Sequence, residues 1–340
     1  MKRILSVSAA AMICVVAVAS EFGDDGYQFL NITPSSHVYA IGGQNISLVD
    51  DDITMVNQNP ALLGQEMHLQ LGLNYMRYLG QSNFMGLTFG VKAWERGAFA
   101  ATIQHFGYGS MTTAGPDGVI TGKISPRDLS FGIVYSHDIT DMLRGGIAVK
   151  GISSAYGEYK AFAIATDLGI NYYNPDNDLS LSFVIKSLGG QVKKFDNTAD
   201  KLPWDIQLGY SQMLRSVPIR LNVTATNLRR WKMPYYARVD NNDTQSAYAL
   251  KHNFGSDLLR HLVFGVEFVP SERFYVGIGY NYKTRTDMST DKRSFFSGFS
   301  LGGGVNIKMI GVGVALAQPH SGGTTFMVNL RCDISQFLRQ

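Results

Sequence analysis

The chain has 340 residues, of which 17% are charged, and a formal net charge of +3. So small a charge excludes a nucleic-acid surface, which needs concentrated basic side chains. The 36 glycines, 17 tyrosines and 19 phenylalanines, together with few helix signals, favour a protein made of strands.

The first 19 residues form a predicted secretory signal peptide. A basic start, Met1-Lys2-Arg3, precedes an apolar run from Ile4 to Ala19, which ends in the small-residue pattern Ala17-Val18-Ala19. This order is typical of a leader that is removed by cleavage, and the run is short for a permanent helical span. Once Cys14 is removed with the leader, Cys332 is the remaining cysteine, so no intrachain disulfide is expected.

Residues 20–67 lack a strand period and are predicted to form an N-terminal plug. Asp50, Asp51 and Asp52 lead into the sequence Asn59-Pro60-Ala61. The three acids lack the Asp-x-Asp-x-Asp-Gly spacing of a calcium loop, which favours bonds to a barrel wall over a metal site. Buried carboxylates need such partners. Because the segment precedes the first strand, we expect it on the periplasmic side.

Residues 68–340 alternate with a period of two, which indicates half-buried strands. Leu69, Leu71, Leu73 and Tyr75, for example, alternate with polar or small residues. About fourteen such segments follow one another, each near the ~9–11 residues that a tilted strand needs to cross a bilayer. An even number of strands is expected of a single-chain outer-membrane barrel.

The connections between these segments are mostly short and long in alternation. Short turns on one side and long loops on the other are typical of barrels with periplasmic turns and surface loops. A soluble β-sandwich would show the same strand period but does not explain this alternation. We therefore predict an all-β chain, a transmembrane antiparallel β-barrel of about 14 strands with an N-terminal periplasmic or lumenal plug.

One long loop, residues 229–259, interleaves basic and aromatic side chains. Such a surface can bind lipopolysaccharide phosphates or a protein partner, and a girdle at the membrane surface is an equal alternative. Three other long connections, residues 109–126, 189–202 and 284–295, are also expected at the cell surface. The candidate binding residues of the 229–259 loop are Arg229, Arg230, Trp231, Lys232, Tyr235, Tyr236 and Arg238.

No motif in the chain predicts catalysis. Ser289-Thr290-Asp291-Lys292 matches the Ser-x-x-Lys pattern of penicillin-binding enzymes, but that chemistry needs its serine at a helix start in an α/β domain. The seven histidines lack the spacing of a metal site. We therefore expect a protein that is not an enzyme and that uses no catalytic residue, cofactor or metal.

The run from His37 to Ile53, followed by Asn57 to Leu62, resembles the N-terminal signature of the fatty-acid-transporter-like (FadL-like) outer-membrane family. Members of this family carry a small residue before two glycines, here Gly42 and Gly43, then an acidic pair and Asn-Pro-Ala. The resemblance implies a fourteen-stranded outer-membrane barrel with an N-terminal plug. It covers the chain after the signal peptide.

Within this family, the run from Asn227 to Pro234 and the amphipathic stretch before His261 resemble the PorV/PorQ branch, part of the type IX secretion system of Bacteroidetes. That branch implies docking rather than catalysis. Its barrels belong to the PorU/PorV attachment complex, and one of them holds a large PorZ-like surface protein that helps join cargo to anionic lipopolysaccharide. The alternative is a transporter of hydrophobic small molecules, which needs an apolar pocket in the lumen. The inward residues are mostly small or charged, which favours docking.

Overall fold

The computed structural model describes most of the chain after its first 24 residues. The predicted signal peptide and the Ser-x-x-Lys sequence at residues 289–292 lie outside the described part. The described ranges are 25–117, 119–195, 199–239, 247–251, 253–287, 296–320 and 323–337. No helix within these ranges is long and apolar enough to cross a membrane.

Fourteen strands form one closed antiparallel barrel, which confirms the predicted fold class. The barrel strands are β1 (Gln70–Arg77), β2 (Asn83–Ala93), β3 (Gly97–Gly107), β6 (Arg127–Asp138), β7 (Leu143–Tyr156), β8 (Tyr159–Asn174), β9 (Leu179–Lys193), β10 (Asp205–Met213), β11 (Ile219–Ala225), β14 (Leu262–Ser271), β15 (Phe274–Asn281), β16 (Phe299–Ile307), β17 (Ile310–His320) and β18 (Gly323–Asp333). Four further strands pair as two hairpins within long loops, namely β4 (Met111–Ala114) with β5 (Ile120–Ile124) and β12 (Tyr235–Val239) with β13 (Ala247–Lys251).

The first and last barrel strands pair with each other and close the ring. Their register runs from Gln70 opposite Asp333 to Arg77 opposite Phe326. Lipid offers no hydrogen-bond partner to a backbone amide, so a sheet that crosses a bilayer must leave no free edge. The closed ring meets that requirement.

The two faces of the strands differ in chemistry. On β6, Leu129, Phe131 and Ile133 point outwards and are exposed, whereas Ser130 and Val134 point into the lumen and are buried. Every other barrel strand carries exposed outward apolar side chains too. This apolar belt around the barrel is the surface that lipid covers in outer-membrane proteins.

The two ends of the barrel are unlike each other. One end, here called the short-turn end, has six connections of two to five residues, and both ends of the barrel segment lie there. The opposite, long-loop end carries both hairpins and two helices. Its rim is uneven, because β8 has 16 residues and β11 only 7. The short turns are residues 94–96, 139–142, 175–178, 214–218, 272–273 and 308–309.

Within the described ranges, helical structure is confined to short elements outside the barrel strands. The helices are α1 (Ser36–Ala40), α2 (Phe254–His261), α3 (Tyr282–Asp287) and α4 (Ile334–Phe337). Four 3-10 turns lie before the first strand, at Gln28–Asn31, Ile53–Asn57, Pro60–Leu62 and Gln65–Met67.

The segment before the first strand, described from residue 25 to residue 67, runs through the lumen from one end to the other. Near its start Asp25 pairs with Arg229 at the long-loop end, and near its end Glu66 pairs with Arg144 beside a short turn. The sequence predicted a periplasmic or lumenal plug, without saying how far along the lumen it extends. The segment extends to the long-loop end because its first apolar residues pack beneath the long loops. We call residues 25–67 the plug.

Candidate functional site

A buried charged cluster fixes the middle of the plug to the wall. His37 of α1 lies between two carboxylates, with its Nδ1 3.2 Å from Asp50 and its Nε2 in contact with Glu267 of β14. Its ring stacks on Tyr275 at a centroid distance of 3.5 Å. Asn222 donates a hydrogen bond of 2.7 Å to Glu267. His37 is 2% exposed and Glu267 is fully buried, so each charge depends on the others for compensation.

The two neighbouring carboxylates determine the protonation state of the His37 ring. Burial opposes the charged imidazolium, but the negative charges of Glu267 and Asp50 outweigh burial and raise the pKa of His37 to about 9. His37 belongs to the plug and not to a spanning strand. At neutral pH it is therefore a cation held between two anions.

The three consecutive acids have three different roles. Asp50 faces His37. The backbone carbonyl of Asp51 accepts a hydrogen bond of 2.5 Å from Arg331 of β18. Asp52 caps the following 3-10 turn, because its carboxylate accepts hydrogen bonds from the backbone and the hydroxyl of Thr54.

Asn59-Pro60-Ala61 forms a second attachment to the wall. The side chain of Asn59 accepts from the backbone of Ala61 at 2.9 Å and donates to the carbonyl of Ile46 and to the hydroxyl of Ser182. Pro60 is the first residue of the 3-10 turn. A backbone N–H at this position would have no partner within the turn, so no hydrogen bond is lost because proline lacks one. Asn59 is fully buried, so its polar atoms have to find these partners.

Gly42 and Gly43 form the turn that follows α1. Their φ angles of +109° and +79° lie in the left-handed region, which a side chain disfavours. The backbone of Gly42 donates to the hydroxyl of Ser300 at 2.9 Å and its carbonyl accepts from Asn281. The two glycines thus let the plug backbone lie directly against β15 and β16.

Lumenal lysines supply further partners for buried polar groups. Lys186 of β9 donates to Gln58 of the plug at 3.2 Å. Lys150 of β7 pairs instead with Asp167 of β8 at 2.5 Å. Of these two lumenal cations, Lys186 contacts the plug and Lys150 is compensated within the wall.

An apolar layer, which the sequence did not reveal, lies in the lumen towards the long-loop end. It brings Tyr27, Phe29 and Leu30 of the plug against buried side chains of the strands. The pattern had suggested that inward positions are small or charged. Met76, Phe84 and Phe106 escape notice because each is a single large apolar side chain near the end of a strand face that is otherwise small or polar. The layer comprises Tyr27, Phe29, Leu30, Met76, Phe84, Phe106, Ile152, Ala163, Ala165, Leu202 and Met327.

Polar contacts hold the plug residues of this layer in place. Asp25 pairs with Arg229 at 2.8 Å and with Arg230 at 3.5 Å. Gln191 donates to the hydroxyl of Tyr27 at 2.6 Å. Each of these partners belongs to the wall or loops of the long-loop end.

The basic and aromatic residues of the 229–259 loop whose side chains the structure describes face in different directions. Arg229 turns inwards to Asp25 and lies over the ring of Trp204, with its guanidinium 4.8 Å from the ring centroid. Trp231 and Lys232 are exposed. Tyr235 lies beneath the guanidinium of Arg260 at 5.2 Å. Tyr236 and Arg238 lie on β12, and their side chains are outside the described part.

Cavities lie beside the plug at both ends of the barrel. A cavity of about 1050 Å³ opens at the short-turn end and is lined by charged groups of both signs, among them Asp51, Glu66 and Arg220. A smaller cavity of about 140 Å³ lies near the long-loop end, between Tyr39, Tyr78 and Phe299. Among the described residues, no group of three or more His, Cys, Asp or Glu side chains is arranged to hold a metal.

No family model matches the sequence, and the comparison with curated proteins found no match. Solved structures do resemble it. The toluene transporter TbuX of Ralstonia pickettii has a TM-score of 0.54 at 14% identity, over 88% of this chain and 97% of that one. The toluene transporter TodX of Pseudomonas putida has a TM-score of 0.51 at 12% identity, over 86% and 95%. A FadL homologue of Pseudomonas aeruginosa has a TM-score of 0.48 at 12% identity, over 88% and 98%. The chain thus has the barrel fold of the two toluene transporters.

Proposed function

We propose that this barrel carries small hydrophobic molecules across the outer membrane, with the long-loop end at the cell surface. The observation that carries the proposal is the apolar layer in the lumen. Ligand sites for apolar molecules are concave and mostly apolar, with a few polar groups that fix orientation. The fold shared with two toluene transporters supports the proposal, although fold alone does not define function.

The proposal requires that the plug residues of the apolar layer can leave it. Tyr27, Phe29 and Leu30 occupy the lumen at the height of Phe84 and Phe106. Their displacement would leave a pocket lined by apolar side chains of several strands. A hydrophobic molecule would replace the plug side chains there and bury a similar apolar area.

The test is uptake of radiolabelled toluene by a Gram-negative host that produces the full-length protein. We expect faster uptake than in cells without it. Replacement of Phe84 and Phe106 by glutamine should lower the gain about ten-fold, since burial of a phenylalanine is worth ~1.5–3 kcal/mol and 1.4 kcal/mol is a factor of ten. The control is Val192→Gln, at an exposed position of β9. Equal uptake with and without the protein would contradict transport.

We propose docking of a large surface protein as the second candidate, in the manner of type IX attachment barrels with a PorZ-like partner. One observation favours it over transport. The plug is bonded to the wall at its middle through His37, Gln58 and Asn59, all of them buried. A plug fixed in this way favours a static barrel, whose long loops would then be the functional surface.

Affinity purification of the tagged protein from native outer membranes in mild detergent distinguishes the two candidates. Docking predicts stoichiometric recovery of a large surface protein that remains bound at moderate salt, identified by mass spectrometry. Transport predicts the barrel without that partner and with a co-purified hydrophobic molecule. Recovery of the barrel with neither would count against docking and would leave the uptake measurement to decide on transport.

A further inference from the structure

The helix α2 buries its polar face and exposes its apolar face, which is the reverse of a surface helix on a soluble protein. Ser256, Asp257, Arg260 and His261 are at most 8% exposed, so its polar face is buried. The other face exposes Phe254 at 68%, together with Leu258 and Leu259 at 39% and 43%. A surface helix in water normally buries its apolar stripe and exposes its polar one.

The buried polar face is bonded to the rest of the long-loop end. Arg260 pairs with Asp287 of α3 at 2.5 Å. The two ring nitrogens of His261 lie 2.8 Å from the carbonyl of Thr226 and 3.0 Å from that of Trp231. Asn253 and Ser256 form a capping box at the start of the helix. The orientation of α2 is therefore fixed by specific contacts of its polar face, and these contacts keep its apolar face exposed.

Trp231 extends this apolar face. Its ring is 47% exposed and stacks on His261 at a centroid distance of 5.0 Å, with Phe254 at 5.6 Å. We call Trp231, Phe254, Leu258 and Leu259 the interfacial patch. Exposed apolar groups gathered in one place mark an interaction surface.

The interfacial patch continues the lipid-facing belt of the barrel. Helix α2 ends at His261 and β14 begins at the next residue, Leu262. Along β14 the outward side chains Phe264, Val266 and Phe268 are exposed. The patch thus adjoins, at the rim, the outward apolar face of β14.

The two strands beside β14 are short, whereas β14 itself has 10 residues. The barrel neighbours of β14 are β11 and β15, with 7 and 8 residues. A tilted strand needs ~9–11 residues to span the hydrocarbon of a bilayer. The outward apolar surface of β11 and β15 is therefore shorter than that hydrocarbon layer. Three to five strands further round the ring, β9, β8 and β7 have 15, 16 and 14 residues. An apolar helix at the rim would extend the apolar surface beyond the ends of these short strands.

We propose that α2 and Trp231 are seated in the membrane leaflet at the long-loop end, with the interfacial patch among the acyl chains near the headgroups. Helices that lie in this zone bury an apolar face to a shallow depth, and tryptophan is enriched there. The occupant is lipid, because the patch is continuous with the lipid-facing belt. A protein partner on the patch is the competing outcome.

The test places single tryptophan probes in a variant whose three native tryptophans, Trp94, Trp204 and Trp231, are replaced by phenylalanine. The full-length variants are folded into vesicles of phosphatidylcholine that carries bromine atoms near the headgroup or near the chain end. The probe under test is Phe254→Trp. The controls are Val266→Trp in the middle of the belt and Val119→Trp on the exposed β4–β5 hairpin.

We expect the probe at position 254 to be quenched most by bromine near the headgroup. The probe at 266 should be quenched most by bromine near the chain end, and the probe at 119 by neither. If the probe at 254 behaves like the one at 119, the patch faces water and the proposal fails. Quenching at 254 that matches the belt would place the helix in the membrane core and would also overturn it. A variant that retains Trp231 alone repeats the measurement without a change in α2.

Discussion

A double variant with Gly146→Leu and Gly279→Leu is expected to open the closed barrel to ions. Both glycines lie on the lumenal wall where the plug backbone touches it. A β-carbon at Gly146 would lie 2.3 Å from the carbonyl carbon of Pro60, and one at Gly279 would lie 2.0 Å from the nitrogen of Gly42. These distances are far below van der Waals contact, and the neighbouring atoms are backbone, so a side chain must push the plug away from the wall.

The measurement is single-channel conductance of the purified protein in planar bilayers. The plug runs through the lumen of the native barrel, so the native conductance should be low. Its displacement should raise the conductance at least about ten-fold, because a barrel of this size is wide enough for an aqueous path. The matched control is Gly190→Leu, since a β-carbon at Gly190 meets nothing within 4 Å. A folded double variant with native conductance would show that the plug is not held against the wall at these points.

Replacement of Glu267 by alanine is expected to cost about 3–5 kcal/mol of unfolding free energy, because it leaves the buried His37 cation without its closest partner. Glu267 is fully buried and contacts both His37 and Asn222. The measurement is urea unfolding of the protein folded in lipid vesicles. Glu158→Ala, in an exposed turn, is the control and should change the free energy little.

A second variant separates the charge pair from the loss of packing. His37→Leu together with Glu267→Leu removes both charges and keeps apolar volume, so it should cost less than Glu267→Ala alone. Equal costs for the double variant and the single one would show that the pair does not act as a unit. A cost for Glu267→Ala no larger than that of Glu158→Ala would contradict a stabilising contact altogether.

The pH dependence of this pair follows from the raised pKa of His37. The folded value of about 9 lies above the ordinary value of about 6.5 for an unfolded chain. The contribution of the pair is therefore complete below about pH 6.5, and it declines as the pH rises and is lost above about pH 9. The advantage of the native protein over the His37→Leu and Glu267→Leu double variant should shrink over that range. The groups that face His37 are Asp50, Glu267 and Tyr275, with Arg220 near Glu267.

The barrel was predictable because its signals are local. The alternation of Leu129, Phe131 and Ile133 with small or polar residues is set by the pleat of a strand, and a strand shows it wherever it lies. The alternation of short and long connections can also be read directly from the sequence. Both signals together leave one fold class for a chain with a predicted signal peptide.

The sequence predicted which residues form the plug but not the course of the plug through the lumen. The sequence shows that residues 20–67 lack a strand period, and Asn59-Pro60-Ala61 marks a turn with its own cap. It does not show that Asp25 meets Arg229, 204 residues further along the chain. Such a pairing depends on where the two ends of the lumen lie, which is a property of the closed barrel.

Sequence by itself determined that this protein is a barrel of about fourteen strands with a segment before the first strand, because strand period and turn length are local properties of the chain. Tertiary structure alone decided the rest. The contact of His37 with Glu267 spans 230 residues, and the apolar layer gathers single side chains from the plug and from several strands. These residues meet because closure of the ring brings distant strands around one lumen, and no local pattern encodes which side chains then share a height.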